Sequence, residues 1–424
     1  MKLTALSKLI LFILAVGAAF GGWRWWQQQQ AMGGKGGVNV PGVTVPGGAQ
    51  QTGGTGSTPE SGRQQTTSGT GSAAAGGDTG STPSGQDNEI SFVITAAKQD
   101  WVGEQVARFN DSNGGKWRIV TTALPSREAM HNILSGSLKP VLWSPGSPLW
   151  PSRLGEAWSE KGGGSILDMS DPNAYRVFLR SPLVFLTTKQ KAKFLRPLLG
   201  GTEPWAALRR LSLGQQKVPW GKFRFSHADP LASSSGMLTL GLIMADYGQR
   251  SGQSGDLNSM ATDRRFLTYL GELERSLVFD KPAHSTTKLT AAFIADPDRY
   301  DVITAYESAA LQAAPANPNL AVIYPNPTSV SEHAVSLLSA PWVTETQRAG
   351  ALEFIKFLGG KEALQAGLKY HFRPAQTTAT LSLQSELARY GAQGFQNTFS
   401  TIDLPPYQGL NAAAYRWSKQ VSQW

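Results

Sequence analysis

Three consecutive serines, Ser233-Ser234-Ser235, stand directly before the apolar run that opens at Gly236. Serine is a favoured helix N-cap, and a helix N-terminus presents unpaired N–H groups at the positive end of its dipole. That combination suits a carboxylate or an oxyanion. One serine would suffice for capping, so a triplet behind Asp229-Pro230 reads as a loop that also meets a ligand. Signals for covalent or metal chemistry are weaker. Ser285-Thr286-Thr287-Lys288 matches S-x-x-K, but neither K-T-G nor S-D-N accompanies it. H-E-x-x-H and G-x-S-x-G are both missing. His131, His227, His284, His333 and His371 lack ligand spacing, and Tyr300 with Tyr306 is a thin basis for a ferric site. The chain has no cysteine, which excludes disulfides, thiolate zinc sites, Cys nucleophiles and lipid attachment at a lipobox. The expectation is a binding protein and not an enzyme, with no cofactor and no metal.

The elements that must position the serines alternate between two periods. Phe92–Ala96, Arg118–Ala123, Val141–Trp143 and Leu183–Leu186 read as short apolar strands. Between the first two, Val102, Val106 and Phe109 fall on one helical face. The middle repeats the theme with strands at Phe223–Ser226, Val302–Tyr306 and Leu320–Tyr324. Helices are expected at Gly236–Tyr247 and from Arg264 to Leu277, then near Thr344–Leu358 and Gly409–Val421. This alternation predicts an α/β fold with a largely parallel sheet covered on both faces. Two such halves imply a cleft, and open α/β sheets bind ligands at the carboxyl ends of their strands.

The front of the chain is of another kind. Leu9 to Gly22 is almost wholly apolar, preceded by Lys2 and Lys8 and followed by Trp23, Trp25 and Trp26. Through Trp26 the run approaches the roughly 20 residues that cross a bilayer. The tryptophans suit the interface and the lysines the inner side, so residues 1–26 read as a signal anchor, with a cleaved signal peptide as the alternative. Residues 27–88 are Gln, Gly, Ser, Thr and Pro and bury too little to fold, which makes them a flexible linker averaging ~45 Å in span. The expected place is the cell membrane, with a single pass and the C-terminal part outside the cytoplasm. The net charge of +9 is spread over a chain with only 16% charged residues and no Lys/Arg run, so nucleic acid is not an expected partner.

Several stretches in order resemble the type II periplasmic-binding-protein fold of bacterial extracellular solute-binding proteins. They are Val141–Ser147, His227–Gly236, Tyr300–Glu307, Ala321–Pro325, Trp342–Leu358 and Phe372-Arg373-Pro374. The likeness runs from about residue 90 to the end. It is greatest to members that also carry a von Willebrand factor A domain, for which this chain has no length left.

The resemblance implies two lobes, lobe I from 89–188 with 321–424 and lobe II from 189–320, with the chain crossing near Lys189 and Ala321. It implies cleft loops that carry the ligand contacts Thr95, Ser144, Ser147, Asp229, Ser233, Ser234, Ser235, Tyr306 and Glu307. Glu307 would repel a dianion, so the expected solute has one anionic group and a polar or amino remainder. Trp101, Trp143, Trp150 and Tyr306 offer flat faces for sugars or cations, although most such tryptophans belong to cores. The implied function is capture of a small polar or anionic solute for an ABC-type importer, with a membrane permease as partner. A tethered sensor or assembly protein is the alternative, and a Ser-dependent hydrolase a more remote one.

Overall fold

The computed structural model describes residues 88–253, 257–278, 285–376 and 386–421. The anchor and nearly all of the linker expected from the sequence lie outside the described residues. Among those described, no helix is long and apolar enough to cross a membrane.

The strands are β1 (Glu89–Ile94), β2 (Arg118–Ala123), β3 (Leu142–Ser144), β4 (Tyr175–Thr188), β5 (Phe225–Ser226), β6 (Val302–Tyr306), β7 (Leu320–Ile323), β8 (Val330–Leu337) and β9 (Arg373–Pro374). They join in the order β2-β1-β3-β8-β4-β6-β5, with β7 and β9 also on β4. The α/β class holds. The expected parallel character holds only at the two wings, where β1 pairs with β2 and β3, and β5 with β6. The centre is antiparallel, because β4 and β8 run against their neighbours. An apolar-run search finds only the Leu183–Leu186 part of β4 and misses its first half and β8, because polar residues such as Arg176, Arg180, Ser331, Glu332 and His333 interrupt them.

β4 holds the wings together. Tyr175–Pro182 pair with β8, and Leu183–Leu186 pair with β6, so the strand changes partners between Pro182 and Leu183. The return path from β7 to β8 lies alongside: Leu183 N–H donates to Ser329 O at 2.9 Å and Thr328 Oγ1 to Leu183 O at 2.6 Å. Buried Ser181 accepts from Ser308 N–H at 3.0 Å across the same junction.

Helices cover both faces. α1 (Gln99–Ser112) turns Trp101, Val102 and Phe109 inward, α2 (Ser126–Ser135) follows β2, and α3 (Leu149–Glu160) follows β3. α4 (Lys189–Leu199) and α5 (Pro204–Ser212) follow β4. α6 (Ser234–Ser251) is buried over most of its circumference, as its unbroken apolar sequence requires. α7 (Arg264–Leu273), α8 (Thr286–Ala295) and α9 (Glu307–Ala313) complete that wing. α10 (Glu345–Leu358) begins with a capping box between Thr344 and Gln347. α11 (Lys361–Lys369) follows it, and α12 (Tyr407–Val421) packs on α6 and α7.

Candidate functional site

A cavity of about 230 Å³ lies where five strands end. Thr95, Ala96 and Ala97 come from the turn after β1, Ala123 to Ser126 from the end of β2 and the start of α2, and Gly146 from the loop after β3. Ala232 and Ser233 come from the loop after β5, Ser234 opens α6, and Tyr306 ends β6. Ser285, Thr286, Thr287 and Lys288 add the first turn of α8. α2, α6 and α8 therefore all begin in the wall, and the N–H groups of a first turn have no acceptor within their own helix. Eight lining residues carry hydroxyls, one carries an ammonium group, and none carries a carboxylate.

The hydroxyls are set as donors. Ser126 Oγ accepts from Gly146 N–H at 3.0 Å, and Ser234 Oγ accepts from Trp150 Nε1–H at 2.9 Å. Both donors are fixed, one a backbone amide and the other a fully buried indole. A hydroxyl has one proton to give, and here the fixed N–H groups already occupy an acceptor position on each. The two oxygens stand 3.2 Å apart, so one proton joins them. An acceptor group placed between them would take both. Thr286 donates to Ser235 Oγ, and Ser235 lies 3.1 Å from Ser233 Oγ, which passes the donor role along to the cavity wall. Thr95 Oγ1 is buried without a protein partner. Burial pushes the Tyr306 phenol well above its ordinary range, so it stays protonated, and it donates to Gly146 O at 3.4 Å.

Two glycines make this approach possible. A Cβ on Gly146 would meet Ser234 Oγ at 2.8 Å, and a Cβ on Gly236 would meet Ala228 O at 2.1 Å. The second contact is with backbone, which cannot yield, and it fixes the start of α6 against the Ala228–Asp229 turn.

Of the residues expected at the site, Thr95, Ser233, Ser234 and Tyr306 line the cavity. Ser235 is fully buried one layer behind it. Asp229 shapes the loop, its Oδ1 accepting from Leu231 N–H at 2.8 Å and its carbonyl from Ser233 N–H at 2.8 Å. Ser144 is buried under the cavity floor and donates to Ala334 O at 2.6 Å. Ser147 turns to a separate groove beside Arg180 and Glu332. Glu307 is not in the lining either. Its side chain is fully buried, Arg373 donates to it at 2.8 and 2.6 Å, and the Tyr324 hydroxyl donates to the same carboxylate. Burial raises the Glu307 carboxyl pKa and the guanidinium opposes the shift. With Glu307 committed to Arg373, the ground for expecting an amine on the solute is gone. Trp101, Trp143 and Trp150 are core residues and offer no ring to the cavity.

Sequence reasoning passed over Ser126 and Gly146, and it set aside Ser285–Lys288 after weighing them as a catalytic motif. Pro125-Ser126 behind an apolar strand was the available signal, since a serine at a strand-to-helix turn is a recurrent cap or ligand contact. Among the described residues no cluster of His, Asp or Glu could hold a metal ion.

Residues 90–373 match the family of bacterial extracellular solute-binding proteins, and the chain belongs to that family. Its members are binding proteins and not enzymes. Solved structures share the fold at low identity. The sulfate-binding protein SubI from Mycobacterium tuberculosis has a TM-score of 0.52 and 16% identity, over 80% of this chain and 99% of its own. The periplasmic binding protein AfuA from Actinobacillus pleuropneumoniae, with fructose-6-phosphate bound, has a TM-score of 0.53 and 16% identity, over 79% and 97%. The ferric binding protein from Campylobacter jejuni has a TM-score of 0.56 and 9% identity, over 79% and 98%. A search of curated proteins finds no match.

Proposed function

From that membership we propose that the chain captures a compact oxyanion in the cavity between its two wings and delivers it to an ABC-type importer. The carrying observation is the polarity of Ser126 and Ser234. Each has an acceptor position held by a fixed N–H, so each presents its proton to a ligand that only accepts. The lining supports the same reading: Lys288 is its sole charged group. The volume, below the roughly 300–1,000 Å³ of drug-sized sites, points to a small solute. SubI and AfuA are named for, or solved with, a sulfate and a sugar phosphate.

We draw lobe I as 89–182 with 330–376, and lobe II as 183–329 with 386–421. These bounds follow the change of partners in β4 and the packing of α12 on α6 and α7. They move the crossings from Lys189 and Ala321 to Pro182 and Ser329. The ligand bridges the lobes and so favours their closed arrangement. Residues 1–26 hold the domain at the outer face of the membrane, and residues 27–88 give it reach.

Calorimetric titration of the protein with sulfate, phosphate, a monocarboxylate and a neutral sugar tests the ligand class. One of the oxyanions should bind, and at 100 times its Kd should add about 2.7 kcal/mol of stability. Binding of the neutral sugar alone would sink the proposal.

A further inference from the structure

Behind the cavity floor lies a cation that the hydroxyl network does not use directly. Lys98 follows Ala96 and Ala97 of the cavity wall and is almost wholly buried, with 1% of its surface exposed. Its ammonium group donates to Ser144 O at 2.9 Å, Ser144 Oγ at 2.8 Å and Pro145 O at 2.7 Å. All three N–H bonds are thus satisfied, and none of the acceptors carries a charge. Hydrogen bonds to neutral oxygens do not replace a counter-ion, and a buried charge without one is costly.

The peptide that follows links this cation to the site. Pro145 O faces Lys98, and the N–H of the same peptide, on Gly146, donates to Ser126 Oγ at 3.0 Å. A positive charge at Lys98 polarises that peptide and strengthens Ser126 as a donor toward the cavity. We propose, building on the oxyanion reading above, that Lys98 is the buried counter-cation of the bound solute, acting through the Pro145–Gly146 peptide, and that solute capture is linked to proton uptake at this lysine. Lys98 touches no cavity space itself, so it is a positioning residue.

The surrounding charges agree. Burial pulls the Lys98 ammonium well below the ordinary lysine range. Burial pulls the His333 imidazole on β8 well below its ordinary range, and Lys98 adds to that when it is charged. Tyr306 on β6 stays protonated. On α1, Asp100 is exposed and accepts from Gln312. Arg127 on α2 turns to Asn411, and Lys288 on α8 reaches the cavity from the far side. Among the described residues no carboxylate contacts the Lys98 ammonium, so an anion in the cavity would supply the negative charge it lacks. It raises the lysine's pKa, and affinity falls as pH rises from the pKa of the ligand-free protein to that of the complex.

The test uses the whole protein and inorganic sulfate, whose own charge is constant from neutral to alkaline pH. Calorimetry in two buffers of different ionisation enthalpy reads proton uptake directly. The expected result is uptake of up to one proton per sulfate, with affinity falling up to tenfold per pH unit across the window. Lys98→Met should bind more weakly and lose both the uptake and the slope. Sulfate binding without proton uptake and with flat affinity overturns the assignment while leaving the oxyanion reading intact, and so does a Lys98→Met protein with the wild-type profile. If Lys98→Met does not fold, the wild-type proton count still decides. If neither sulfate nor any other oxyanion binds at any pH, both readings fall together.

Discussion

The hydroxyls of Ser126 and Ser234 meet at 3.2 Å, the first at the start of α2 behind β2 and the second at the start of α6 behind β5. Each is steered by a different fixed donor, Gly146 N–H and Trp150 Nε1–H. The pair joins the two wings with hydroxyls that can both donate into the cavity.

Replacing either serine by alanine should weaken oxyanion binding by about 1–3 kcal/mol, the usual range for a hydrogen bond to a charged group. The Trp150 indole would lose its acceptor in Ser234→Ala, so that variant should also lose some stability. Ser235→Ala should affect affinity less, because Ser235 stands behind the lining and acts through Ser233. Titration calorimetry separates the three variants. Unchanged affinity in both Ser126→Ala and Ser234→Ala would show that the ligand sits elsewhere.

Gly146→Ala tests the closeness of the same loops. The added methyl would meet Ser234 Oγ at 2.8 Å and Tyr306 Oη at 3.5 Å. Only the serine must shift, so the fold should survive with a small drop in Tm while binding weakens at least about tenfold. Gly236→Ala should instead destabilise by several kcal/mol, because its methyl would meet backbone at 2.1 Å. Comparable thermal losses in the two variants would contradict this division.

How far the site could be read from the sequence follows from what kind of signal each residue gives. Ser233 and Ser234 drew notice because three serines before an apolar helix exceed what capping needs, and the structure places both in the cavity wall. Tyr306 came from its place at a strand end. Glu307 beside it lies outside the lining, because adjacency in sequence says nothing of the partner: Arg373 lies 66 residues away and takes the carboxylate. Lys98 was invisible for the reverse reason, since a lone lysine in a turn reads as surface until its burial is known. The wings of the sheet were legible from apolar runs, whereas β8 carries the polar run Ser331-Glu332-His333 and is recognised as a strand by its pairing with β4 and β3.

Glu307→Gln distinguishes a structural carboxylate from a ligand-reading one. The substitution leaves Arg373 buried without its anion, and breaking a buried pair on one side costs about 3–5 kcal/mol. Denaturant unfolding should show that loss, while the folded fraction binds the oxyanion with wild-type affinity. A large change in affinity with stability preserved would return Glu307 to the site.

The last prediction concerns pH and the base of the serine loop. His227 Nε2 lies 2.8 Å from Glu274 Oε1, and its Nδ1 lies 2.7 Å from Ala228 O. Both ring nitrogens thus face acceptors, which only the doubly protonated ring satisfies. Burial opposes the charge, but the Glu274 carboxylate outweighs it and holds the imidazole above its usual range. The ring also packs on Trp417 of α12 at 5.3 Å, so the pair ties β5 to the C-terminal helix. A folded-state pKa above the unfolded value of about 6.5 gives stability that is complete below that value and is lost as pH rises through the folded one. Lys98 acts with the opposite sign, because its lowered pKa makes stability rise with pH up to the ordinary lysine range. The comparison is therefore between wild type and His227→Gln, each unfolded in urea at a series of pH values. Wild type should lose up to about 1.4 kcal/mol per pH unit above neutrality relative to the variant. Parallel stability curves for the two proteins would show that His227 carries no proton in the folded state and that the pair is an uncharged hydrogen bond.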